Sequence, residues 1–281
     1  MDKIHDTLPA ETPAGAPPSF QESQAAAGLA SSSSIPSPSI APGSGSPAFK
    51  TEFACISLNK SDRIRLIDFP PPDFTAVQDV VKKTWHEGIA RSDGYGSSRE
   101  IKLNGYPWRA DIDGQDASRV LILRILECLF NRGWVMQASI DMIRKESDKD
   151  TLVLRWQNPP PPPCDWLCVS FDSSDKLKIV GNPPKALSQA LIAMYGSSIQ
   201  RHEVTPQRLK IKFNGMPWRP NGTDTVTTRK MLLQLIKKLE EFGYTIYSAM
   251  DISDSTDKGE TDVLIVQREK TWTPGTPIFH R

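Results

Sequence analysis

From residue 53 onward, apolar and polar positions alternate. Ala54, Ile56 and Leu58 are separated by smaller or polar neighbours, and Arg63-Ile64-Arg65-Leu66-Ile67 alternates again after Ser61-Asp62. A period of two predicts two strands, and the short polar break makes them a hairpin. The period then lengthens. Phe74, Val77, Val81 and Trp85 recur at helical spacing behind Pro70-Pro71-Pro72-Asp73, with Asp73 placed to cap a helix. Gly88 ends that helix, and Gly94 with Gly96 reads as a loose connection. A third strand covers Glu100 to Leu103, a second helix runs from Asp116 to Arg132, and Gly133 suits a left-handed C-cap. Val135 to Met142 is a fourth strand and Leu152 to Trp156 a fifth, across the charged turn Lys145 to Asp150. The predicted order is ββαβαββ.

The same pattern then repeats. Lys102-Leu103-Asn104-Gly105-Tyr106-Pro107-Trp108-Arg109 returns as Lys212-Phe213-Asn214-Gly215-Met216-Pro217-Trp218-Arg219, 110 residues later. Upstream, Phe53 to Leu58 matches Trp166 to Phe171, and downstream Gly133-Trp134 matches Gly243-Tyr244. A string this specific occurring twice marks an internal duplication. Each copy is about 105 residues, a usual domain size. The predicted organisation is a Pro/Ser/Ala-rich disordered tail (1–50), a first repeat (51–157), a polyproline linker (158–165), a second repeat (166–270) and a C-terminal tail (271–281). The linker's consecutive prolines, Pro159 to Pro163, favour a semi-rigid extended rod that spaces the repeats. Tyr95-Gly96-Ser97-Ser98 and Tyr195-Gly196-Ser197-Ser198 fall at different places in the aligned copies and read as coincidence.

Helices between strands two, three and four imply parallel neighbours joined by crossovers. The expected fold class is α/β (α+β, two-layer): a tandem ββαβαββ domain with a mixed five-stranded sheet and helices mainly on one face. Alternation places Arg63, Arg65 and Lys102 on the other face in the first copy, and Lys176, Lys178, Lys210 and Lys212 in the second. Such faces could hold an anion, as RNA or a phosphoinositide headgroup, through phosphate contacts. The alternative is a solvated charged face, and Glu100 dilutes the first copy's field. The paired strand aromatics of sheet-type RNA binders are missing, so nucleic acid is the lesser alternative.

The two copies differ most in their second helix. In copy two, Met231, Leu232, Leu235, Ile236, Leu239 and Phe242 fall within an arc of roughly 140°. In copy one, Leu123, Cys128 and Phe130 widen the apolar arc to roughly 220°, and Val120 stands where copy two has Lys230. One sheet cannot cover that width. Val120, Leu123 and Phe130 are therefore the candidate interface, with copy two, a second chain in self-association, or an unknown protein partner as its cover.

Composition narrows the function. The 34 Lys+Arg against 33 Asp+Glu give a net charge of +1, unlike a strongly basic nucleic-acid binder. Four cysteines form neither a Cys-x-x-Cys pair nor a disulfide framework. The start has no signal-peptide pattern, and the apolar region Val120 to Phe130 is broken by Arg124 and Glu127, so no transmembrane segment is expected. A cytoplasmic protein follows, with the nucleus also open. Phosphate loops, nucleophile elbows and zinc spacings are absent, so neither cofactor nor metal is expected. The four histidines, His5, His86, His202 and His280, have no equivalents between copies. Asp141 and Asp251 are equivalent, but one carboxylate per domain is weak evidence for acid–base catalysis. The reading is a non-enzymatic interaction or regulatory protein, with anion binding and an enzyme of unknown type as alternatives.

Overall fold

The computed structural model of the chain describes residues 51–109, 115–142, 149–252 and 262–278. The expected tail 1–50, most of the turn at Lys145 to Asp150 and the last three residues lie outside that set. The first repeat comprises β1 (Phe53–Asn59), β2 (Arg63–Ile67), α1 (Pro71–Thr84), β3 (Ile89–Tyr95), β4 (Ser98–Leu103), α2 (Gln115–Asn131), β5 (Trp134–Ile140) and β6 (Thr151–Trp156). The second repeats the order as β7 (Cys164–Asp172), β8 (Lys176–Val180), α3 (Lys185–Tyr195), β9 (Ile199–Val204), β10 (Arg208–Phe213), α4 (Asp224–Glu241), β11 (Thr245–Met250) and β12 (Val263–Glu269).

The tandem α/β duplication holds, but each unit is ββαββαββ. Each sheet has six strands, in the orders β3-β4-β2-β1-β6-β5 and β11-β12-β7-β8-β10-β9, with every pairing antiparallel. The expected mixed five-stranded sheet is corrected by β3 and β9. Each forms a hairpin that returns the chain antiparallel beside β2 or β8, so no parallel crossover is needed. Both are edge strands with hardly a buried residue, and an exposed edge carries no alternation to read. What looked like a loose Gly94–Gly96 connection is the end of β3 and its turn.

The repeated Asn-Gly-x-Pro-Trp-Arg string does the same structural work in both copies. Trp108 Nε1 donates to Arg63 O at 3.1 Å and Trp218 Nε1 to Lys176 O at 2.8 Å. Their backbone N–H groups reach Ser61 O and Ser174 O. Asn104 and Asn214 donate to Glu87 O and Ser197 O at 2.8 and 3.0 Å. The motif thus pins the end of the fourth strand to the first hairpin's turn. Asp73 does not cap α1, which starts behind Pro70. It accepts from Trp134 Nε1 at 2.8 Å and from Arg132 instead, tying the start of α1 to the end of α2.

The helices of each repeat lie on one face of their own sheet, but α2 has a second contact. Leu121, Ile122, Leu123, Ile125, Leu126, Leu129 and Phe130 are all buried, whereas α4 buries only Leu235 and Leu239. A helix that is apolar nearly all round needs cover on both sides. The second cover is the far face of sheet two: Trp166, Cys168, Val180 and Ile265 share one core with α2. Phe130 meets Trp166 and Tyr247 edge-on at 5.2 and 5.7 Å, and those two rings meet at 4.8 Å. Beside them the Met136 N–H of edge strand β5 donates to Tyr247 Oη at 2.7 Å. The layers run sheet one, α1 and α2, sheet two, α3 and α4. The five prolines therefore do not hold the repeats apart, because the surface they would expose is better buried.

Charge closes one end of this joint. Arg119 donates to both carboxylate oxygens of Asp172, at 2.6 and 3.1 Å, and the two side chains are 7% and 12% exposed. Lys178 Nζ lies 2.9 Å from Asp172 and 3.2 Å from Asp116, and Arg208 reaches Asp116 at 3.0 Å. Burial pushes the Asp172 carboxyl up, but Arg119 and Lys178 outweigh it and hold the carboxyl below its ordinary value.

Losing Asp172 removes the bidentate partner of a nearly buried Arg119, which keeps Asp116 at 3.4 Å. Asp172→Ala should cost about 3 kcal/mol by urea unfolding, while Arg119→Met with Asp172→Leu should cost under about 1 kcal/mol. Equal losses would contradict a buried pair. A depressed carboxyl stabilises the fold above the unfolded pKa, near 3.8, and that stability fades as pH falls through the folded value. Asp172→Asn should flatten that acid limb. Gly133 and Gly243 take φ of 96° and 83°, and a Cβ would meet Gln157 O and the Trp272 ring respectively. Gly→Val at either position should lower stability by more than about 1 kcal/mol.

Candidate functional site

The duplication makes the two sheets comparable strand by strand, and their far faces differ in one respect: α2 covers the second and no described element covers the first. On sheet two, Val180, Cys168, Ile265 and Ser248 form a row across four strands under α2. Ile67, Cys55, Val153 and Ala138 form the same row on sheet one. Phe53 stands where Trp166 does, and Ile140 where Met250 does. Phe53 is 50% exposed and Ile140 43%, while their counterparts are buried. Ile67, Cys55 and Val153 are half-buried by their neighbours on the face. Sheet one thus carries an apolar strip that repeats, residue for residue, a face already shaped to receive a helix. Single exposed apolar residues need no explanation, but a strip in register across four strands does.

Beside the strip lies a charged patch. Glu100 is nearly buried and accepts from Arg63 at 2.9 Å and from Arg65 at 2.7 Å. Arg65 also donates to Asn59 Oδ1 at 2.9 Å and stacks over the Tyr95 ring at 3.9 Å. Lys102 faces Asp62 at 3.7 Å, and Arg91 Nε pairs with Asp93 at 2.6 Å. These cations are largely neutralised from within the sheet. Burial pushes the Cys55 thiol up, with Asp68 adding to the effect.

The expected site residues fall in three places. Leu123 and Phe130 are buried in the joint with sheet two, and Val120 packs at its margin. A Cβ at Gly181 would strike the Leu123 side chain, which shows how closely α2 approaches β8. Arg63, Arg65 and Lys102 stand on the open face of sheet one. Lys176, Lys178, Lys210 and Lys212 stand on the face expected to be open in sheet two, which is corrected: α2 covers part of it. Lys178 belongs to the charged end of the joint. Lys212 lies 3.5 Å from Asp175, Lys176 donates to Ser173, and Lys210 stands opposite Glu203 in the strand register.

At the joint a cleft of about 230 Å³ is lined by Arg124, Glu127, Asp165, Gly181 and Arg268 among others. Four of its charges are used internally, Arg124 pairing with Glu127 at 2.5 Å and Arg268 with Asp165 at 2.7 Å, and Lys270 also lines it. Near the ends of β5 and β11, Asp150 accepts from Ser139 and from the Asp251 backbone. Burial and the nearby Asp150 and Asp251 raise the Asp262 carboxyl. No metal-ligand cluster occurs among the described residues. No described helix is long and apolar enough to cross a membrane.

Sequence reasoning missed the strip of Phe53, Cys55, Ile67, Val153 and Ile140, although the aligned Phe53 and Trp166 were a signal for it. It also missed the outer face of α4. There Leu233 takes the place of Leu123 and is 65% exposed, and Val226 takes the place of Asp116 and is 54% exposed.

No curated protein and no solved structure matches the chain. One domain-family model matches it twice in tandem, over residues 52–155 and 165–267, and the chain belongs to that domain family.

Proposed function

We propose that the chain is a non-enzymatic interaction protein whose modules work by stacking a helix layer on a sheet face. The observation that carries this reading is the mismatch between two equivalent faces. Sheet two's far face is filled by α2 with apolar contacts, an aromatic cluster and buried ion pairs. Sheet one's far face repeats the apolar row and stays open among the described residues. Burying one side chain such as Phe53 contributes about 1.5–3 kcal/mol, so an open strip of several is a strong drive to associate. The anion-binding reading has less support, because Glu100, Asp62 and Asp175 engage the cations it would use. The enzyme reading would be favoured by titratable groups gathered in the cleft and free to react, whereas Arg124, Glu127, Asp165 and Arg268 there are held in two ion pairs.

A photo-crosslinking amino acid in place of Phe53 should capture a polypeptide in the native cell. The same group in place of exposed Lys83 on α1 should not. Equal capture at the two positions would overturn the reading.

A further inference from the structure

Resting on that reading of the open face, we propose that its occupant is a second copy of this chain, through α4 of its second repeat. The arrangement would repeat between chains the joint that already exists within one.

The intrachain joint supplies the template. It is heterologous: a helix layer of one module meets the sheet face of the next, so one unmatched surface remains at each end. Among the described residues, repeat one keeps an open sheet face, and repeat two keeps an open helix face. Their exposed or half-buried apolar groups stand at the positions that make the joint. Leu233 replaces Leu123 on the helix side, and Phe53, Ile67 and Val153 replace Trp166, Val180 and Ile265 on the sheet side.

The charges change in step. Within the chain, Asp116 on the helix neutralises Lys178. On sheet one, Glu100 of the sheet itself performs that role for Arg65, the counterpart of Lys178. The docking helix therefore needs no acid there, and α4 carries Val226 in place of Asp116. Glu127 lines the joint beside Gly181. Their counterparts are Lys237 on α4 and Asp68 on sheet one, an opposite-charge pair. Glu240 replaces Phe130, and beside Phe53 the cross-strand partner is Arg155, again of opposite charge. Arg229, the counterpart of Arg119, would face Asn59, whose Oδ1 is a neutral acceptor where Asp172 is an anion. Asp68 also brings a side chain where Gly181 leaves space for Leu123. Both differences make the interchain joint weaker than the intrachain one. The association is therefore reversible and depends on concentration, and because it does not close on itself it adds copies head to tail.

The test is sedimentation of the full chain with two blocking variants. Wild-type chain should shift from monomer to dimer and longer species as concentration rises. Val153→Lys blocks the sheet end and Leu233→Lys the helix end, and each variant alone should remain monomeric. An equimolar mixture of the two should give a species of twice the monomer mass and nothing larger, because each supplies the surface the other lacks. A second pair covers any loss of folding at Val153. Asp68→Lys and Lys237→Glu should each reduce association at least about tenfold, roughly 1.4 kcal/mol. Combined in one chain they should restore it. Wild-type chain that stays monomeric at every concentration overturns the proposal, as does a mixture that forms no dimer. If Phe53 still captures another protein in the cell while the chain stays monomeric, the interaction reading stands and the second-copy occupant fails. If neither occurs, both fail.

Discussion

The fold depends on a helix that no single sheet can cover. α2 is apolar on nearly every side, so one sheet leaves Leu123 and Phe130 in water. The joint with sheet two removes that cost and fixes how the repeats sit. The ion pairs at its end add geometric selectivity more than net stability, since Arg119 and Asp172 must first be taken out of water. The aromatic trio at the other end and the Met136–Tyr247 hydrogen bond close the joint against the sheet edges.

Duplication followed by divergence explains why, among the described residues, one sheet face is filled and the equivalent one is open. The backbone scaffold is kept strictly: the Asn-Gly-x-Pro-Trp-Arg string makes the same hydrogen bonds in each copy. The joint residues are not kept. Asp116 becomes Val226, Phe130 becomes Glu240, Asp172 corresponds to Asn59, and a buried Glu100 stands where the second sheet has Lys210. These changes redistribute charge between helix and sheet without altering the fold. The exposed residues of the two repeats thereby differ, with Leu233 and Val226 on α4 and Phe53 and Ile140 on sheet one.

Much of this was legible before any coordinates. Strong periodicity gave away the buried strands and all four helices, and Gly133 and Gly243 marked their left-handed caps. The 220° arc of α2 announced a second contact. What escaped was whatever lacks a one-dimensional signature. β3 and β9 are exposed edges without alternation, and missing them turned an antiparallel sheet into a mixed one. Lys178 read as an anion-binding or solvated cation because its partners, Asp116 and Asp172, are distant in sequence or on another strand. The strip on sheet one escaped because Phe53 and Cys55 lie on β1, Ile67 on β2 and Val153 on β6. Only strand register lines them up with Val153.

The repeats are joined through α2 rather than held apart by the prolines. Spin labels on exposed Gln137 in the first repeat and Lys237 in the second report on that joint, by pulsed dipolar distance measurement in dilute full-length chain. A packed joint gives one narrow distance distribution that broadens in a Leu123→Lys background. A broad distribution in the otherwise wild-type chain, unchanged by Leu123→Lys, would mean that the repeats are not joined.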